Sequence, residues 1–177
     1  MRVLEPVGLD DVLAAWALHE CRGRLRAQLP AEFLRALDGP DGAFLALTVL
    51  LQNRVNVLAA ILAAGPVGCV RVALDRADVP DVRVMWARTL EEWSTAVRGV
   101  QDASGAHVRG LAAGPAPIEG PILAIARRAE GPLTILDGMH RAAAWVAHGA
   151  AGREYPLEVN VVVTRTTAPR FELPDRT

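Results

Sequence analysis

The chain has 177 residues and a formal net charge of −1, and 51 % of it is apolar. That is enough to bury one ordinary core, or a core of about 100 residues with an extension. The near-neutral balance, without any block of like charge, argues against a protein that holds nucleic acid by its phosphates.

All 19 residues counted as lysine or arginine are arginine, which together with the many Ala, Gly and Pro points to GC-rich coding. Without lysine there is no Schiff base and no P-loop, so phosphate chemistry falls to Arg, His and backbone amides. Cys21 and Cys69 are far apart and outside any C-x-x-C pair, which suits ordinary thiols in a reducing cytoplasm. The first residues do not read as a signal peptide.

Residues 8–28 read as a first helix, capped by Asp10 or Asp11, with Val12, Trp16, Leu18 and Leu25 as a loose apolar stripe. His19, Glu20 and Cys21 within it, and His107 further on, lack the spacing of zinc ligands. Pro30 opens a short helix over 31–37, closed by the turn at 38–42. A long helix over 43–64 is apolar almost all round, as a core helix is. Gln52-Asn53-Arg54 interrupts its centre, which argues against a membrane span. Either Arg54 reaches the surface and Asn53 bonds a nearby loop, or Gln52, Asn53 and Arg54 line a polar substrate pocket.

Gly65-Pro66 stops that helix, and 67–74 and 81–86 alternate as strands. Thr89 and Glu92 form a capping box for a helix running to about Val100. Residues 101–119 are rich in Gly, Ala and Pro, with a short helix around 107–113. Strands over 120–127 and 133–136 form a hairpin, a helix covers 139–148, a loop 149–156 and a last strand 157–164. The tail from Thr166 carries two prolines and reads as irregular or as a docking arm. The pattern is α+β: a helical N-terminal portion, 1–65, then a mixed sheet of four or five strands in 66–177, forming one compact unit.

The strand–turn–helix at 133–148 carries the chemistry. His140 and Arg141 lie on the first turn of a helix whose amides are free and whose dipole is positive, a site for phosphate or sulfate. Gly138 lets backbone approach the anion. Asp137 caps the helix, or serves as general base or metal ligand. Glu119, Glu154 and Glu158 flank the sheet and are candidates to face the same pocket, holding Mg²⁺ or orienting a substrate hydroxyl or amine. His148, in the last helical turn, suits a structural role. Nucleophile-elbow, Walker A and dinucleotide fingerprints are absent.

Asp137-Gly138-Met139-His140-Arg141 resembles the D-G-x-H-R or G-C-H-R signature of the ParB/sulfiredoxin-like superfamily, which includes chromosome-partition domains, sulfiredoxins and free-serine kinases. The flanks at 120–127 and 157–163 agree, so the resemblance covers roughly residues 118–164. It implies a strand–hairpin–strand–helix–strand core, with Gly138, Met139, His140 and Arg141 around nucleotide phosphates. Met139 stands where sulfiredoxins carry cysteine, and a thioether cannot become a thiolate nucleophile. The serine kinases carry histidine there, a second departure.

Three functions are compatible with these residues. The first is a nucleotide-dependent small-molecule kinase using ATP or ADP with Mg²⁺, with Asp137, His140, Glu154 and Glu158 as catalytic candidates. The second is a cofactor-free lyase or cyclase that binds a phosphate or sulfate ester as leaving group. The third is a non-catalytic nucleotide-sensing or partner-binding module, with the apolar N-terminal helices serving a homo- or hetero-oligomer. The expected ligand is a small polar or anionic metabolite in the cytoplasm, with neither nucleic acid nor membrane as partner.

Overall fold

Alternating apolar side chains build a sheet with two dry faces. The computed structural model describes residues 1–84 and 88–166. Among them are six strands: β1 (Arg2–Val7), β2 (Pro66–Leu74), β3 (Val82–Val84), β4 (Leu123–Ala126), β5 (Leu133–Asp137) and β6 (Leu157–Thr164). They form one mixed sheet in the order β1-β2-β6-β4-β5-β3. The β4–β6 and β3–β5 pairs are parallel and the other three antiparallel. The protein is therefore α+β. Its helices are α1 (Leu9–Arg22), α2 (Ala31–Ala36), α3 (Gly42–Asn53), α4 (Val55–Ala63), α5 (Leu90–Gly99), α6 (Ala103–Ala113) and α7 (Met139–Ala150).

The period of two divides the core. Val72, Ala124, Ile135, Val159 and Val161 pack with Trp145 and Val146 of α7 on one face. Their neighbours Cys69, Leu123, Ile125, Leu136 and Val162 pack with Trp16, Leu50 and Ile61 on the other. Burying one such Leu or Ile stabilises the fold by about 2 kcal/mol. A smaller cluster of Val97, Val108, Ala143 and Ala144 joins α5, α6 and α7.

The sequence-based boundaries of β2, α5, α7 and β6 agree with the structure to within two residues. Four expectations need correction. The N-terminal portion opens with a strand, β1, at the sheet edge. It exposes Arg2, Glu5 and Pro6 and so shows no clean alternation, and an edge position tolerates Pro6. The first helix ends at Arg22 rather than at 28, and Asp10 and Asp11 occupy its first turn while Gly8 takes the cap position. The short helix expected at 107–113 begins at Ala103, where Asp102 accepts the Gly105 N–H at 2.8 Å.

The fourth correction bears on function. The long helix over 43–64 is two helices, α3 and α4, bent by 93° at Arg54. Arg54 leaves the helical region (φ −134°, ψ 28°), and Asn53 Nδ2 donates back to the Val49 carbonyl at 2.9 Å. Neither helix is buried all round: Phe44 is 69 % and Leu62 70 % exposed. Among the described residues no single helix is long and apolar enough to cross a membrane. The expected strand residues 85–86 and the tail from 167 onward lie outside the described residues.

Candidate functional site

β5 carries Asp137 to the end of the sheet, and α7 starts two residues later. The turn needs glycine: Gly138 has φ +82°, and a Cβ there would stand 2.9 Å from Ile122 Cγ1. Among the described residues no side chain caps α7, so its first amides keep their donors for a ligand.

Asp137 is buried and fully engaged. Its Oδ2 accepts the indole N–H of Trp16 at 3.1 Å and lies 3.5 Å from Arg141 Nη2, while Arg54 Nη2 is 3.3 Å from Oδ1. The bend between α3 and α4 is what turns Arg54 inward. The same guanidinium donates through Nε and Nη2 to Glu20 Oε2 at 3.2 and 3.0 Å, and Arg24 Nε donates to that oxygen at 3.0 Å. A chain of charges thus runs from Arg24 through Glu20, Arg54 and Asp137 to Arg141.

Arg141 is turned into the protein. Its Nη2 donates to the Pro121 carbonyl and its Nη1 meets His19 Nε2 at 2.7 Å. Guanidinium only donates, so His19 accepts through Nε2 and is neutral, with its proton on Nδ1. The backbone passes close by at Gly120 (φ +102°), where a Cβ would stand 3.0 Å from the His19 ring. His140 projects the other way, edge-on to His107 of α6 with ring centres 5.7 Å apart and 6.2 Å from the Trp93 ring of α5.

These groups line one cleft of about 590 Å³, with His19, Glu20 and Arg24 on one wall and His107 and His140 on another. Burial raises the pKa of Asp137, helped by Glu20 and opposed by Arg54, Arg141 and the Trp16 hydrogen bond. Burial lowers His19, with Arg141 adding to it and Glu20 opposing. It lowers His140 as well, with His107 and Arg141 adding. Both imidazoles are held neutral, as a general base must be.

Those shifts set a pH dependence. The unfolded chain binds the two imidazole protons more tightly than the folded one. The stability they contribute is full above about pH 6.5 and is lost as the pH falls from there to the lowered folded values. Asp137, shifted upward, acts in the opposite sense. Urea unfolding should show stability decreasing from pH 7.5 to 5.5, with a shallower slope in His140→Gln. A flat wild-type profile there would contradict the neutral imidazoles.

Of the residues singled out in the sequence, the cleft gathers Asp137, Gly138, His140, Arg141 and Arg54. Met139 packs against the core below α7. Gln52 and Asn53 are exposed and outside the cleft lining. Glu119 and Glu158 are exposed beside a different cavity of about 490 Å³, and Glu154 lines a third beside Trp145. His148 is wholly buried, its Nδ1 2.6 Å from Tyr155 Oη.

Sequence reasoning missed His19, Glu20, Arg24 and His107 as members of this site. A signal was present: the stripe of Val12 and Trp16 continues three and four residues on as His19 and Glu20, so the inward face of α1 turns polar. Among the described residues no group of three or more His, Cys, Asp or Glu side chains is placed to hold a metal ion. No family model, curated protein or solved structure matches this chain.

Proposed function

We propose that the protein is a small-molecule enzyme that binds the phosphate or sulfate ester of a metabolite against the start of α7 and promotes its departure in an elimination or ring closure. The arrangement that carries this reading is an uncapped helix start facing a cleft that holds a neutral His140 and guanidinium donors with no acceptor among the described residues. Arg24 Nη1 and Nη2 and Arg54 Nη1 make no hydrogen bond among the described residues. They and the α7 amides would take the oxyanion, while His140 removes the proton whose loss drives the C–O bond to break. The oxygen then leaves with the bonding pair as phosphate or sulfate.

The strand–turn–helix at Asp137–Arg141 supports a ParB/sulfiredoxin-like core, and with it the alternative of a nucleotide-dependent kinase in the cytoplasm. The residues present do not fit the Mg²⁺ that a kinase requires. Asp137 has both oxygens engaged, and Glu20 has its Oε2 shared by two guanidiniums, so Oε1 is the single oxygen these two carboxylates could offer. A divalent cation there would face positive charge on most sides. Glu119, Glu154 and Glu158 line other cavities and supply no ligand to this one.

Thermal shift with inorganic phosphate and sulfate tests the reading. Either anion at a hundredfold excess over its Kd should stabilise the protein by about 2.7 kcal/mol, equally in EDTA and in Mg²⁺. Stabilisation by ATP or ADP that depends on Mg²⁺, with none from the simple anions, would replace it with the kinase.

A further inference from the structure

Glu20 has one oxygen that the charge chain does not use. All three guanidinium hydrogen bonds to this side chain land on Oε2. Oε1 takes no hydrogen bond among the described residues, and it is absent from their sealed, unpartnered polar atoms. The residue is only 6 % exposed, yet it lines the cleft. Two arginines hold the carboxylate in place by Oε2 and leave Oε1 open. A carboxylate oxygen fixed in this way accepts a hydrogen bond from whatever occupies the cleft.

Charge decides which donor suits it. Arg24, Arg54 and Arg141 face the carboxylates of Glu20 and Asp137, so these five side chains together carry one net positive charge. A phosphate monoester dianion turns that into one net negative charge. An ammonium group on the same molecule restores neutrality, which a hydroxyl does not, and low-dielectric clefts penalise uncompensated charge.

We infer that Glu20 is a binding residue whose open Oε1 receives the ammonium group of the ligand, so that the cleft selects amine-bearing phosphate monoesters. This rests on the anion reading of the same site and narrows its substrate class. In the ring-closure form, the ammonium first passes a proton to His140, and the nitrogen lone pair so freed bonds to the carbon as the C–O bond breaks and phosphate leaves with the bonding pair.

The test compares ethyl phosphate with phosphoethanolamine by calorimetry on the intact protein in EDTA at pH 7.5. The two ligands have the same phosphate and differ in the amine. Wild type should bind phosphoethanolamine about tenfold more tightly, the ordinary worth of one charge-assisted hydrogen bond. In Glu20→Gln, which keeps a carbonyl acceptor for the arginines, the ratio should fall to about one. Equal binding of the two ligands by wild type overturns the assignment of Glu20 while leaving the anion reading intact. Binding of neither overturns both. If Glu20→Gln fails to fold, the wild-type ratio alone decides.

Discussion

Arg141→Ala should destabilise the protein by about 3 kcal/mol, measured as the shift in urea unfolding free energy, because it takes donors from three buried or half-buried acceptors. The Pro121 carbonyl loses its guanidinium, His19 Nε2 loses its donor, and Asp137 keeps only Arg54 and the Trp16 indole. The sequence gives a different expectation for this residue: an arginine on the first turn of a phosphate-binding helix should be dispensable for folding and essential for binding. The contacts of Arg141 predict the opposite order. Arg141 positions Asp137, His19 and the segment before β4, whereas the open donors of the cleft belong to Arg24, Arg54 and the α7 amides. At a temperature where the variant stays folded, phosphate should still stabilise it. Arg141→Lys should recover only part of the lost stability, since an ammonium cannot reach three acceptors in the fork geometry of guanidinium. A variant as stable as wild type that no longer responds to phosphate would restore the simpler role.

What could be read in the sequence follows from the range over which each residue acts. β2, β6 and the β4–β5 hairpin declare themselves because each strand meets its core through alternate side chains, a pattern contained in four to nine residues. The turn at Asp137-Gly138 is equally local, since only glycine suits φ +82° beside Ile122. β1 escapes because an edge strand with most of its residues exposed has no pattern to show. The break at Arg54 escapes for another reason. The helical composition of residues 42–64 continues straight across it, and what turns the chain is paired with Glu20, 34 residues away. The cleft is harder still. Trp16 meets Asp137 and His19 meets Arg141 across separations of 121 and 122 residues. A sequence shows that a face of α1 becomes polar; only the folded chain shows that this face looks onto the start of α7.

Gly138→Ala should be the most damaging of the conservative changes in the turn, costing about 3 kcal/mol from left-handed strain and overpacking combined. The added methyl would stand 2.9 Å from Ile122 Cγ1 and 3.2 Å from both Ile122 Cα and Arg141 Nη2. Ile122 is wholly buried and its backbone accepts the Asn160 N–H at 2.9 Å, so it has little freedom to retreat. The group with room to yield is the Arg141 guanidinium, and moving it loosens the contacts to Asp137 and His19 together. The loosened contacts cost stability, and the added methyl and the displaced guanidinium crowd the start of α7, so loss of stability and loss of phosphate response should appear in one substitution, whereas Gly152→Ala should show strain alone. Gly152 has φ +77° but nothing within 4 Å of its Cβ position, so the change there should cost about 1 kcal/mol and leave the anion response intact. Comparing the two by urea unfolding and phosphate titration separates backbone strain, which they share, from crowding of the cleft, which only Gly138→Ala produces. Equal effects would mean that the space beside Gly138 is not what keeps the start of α7 open to an anion.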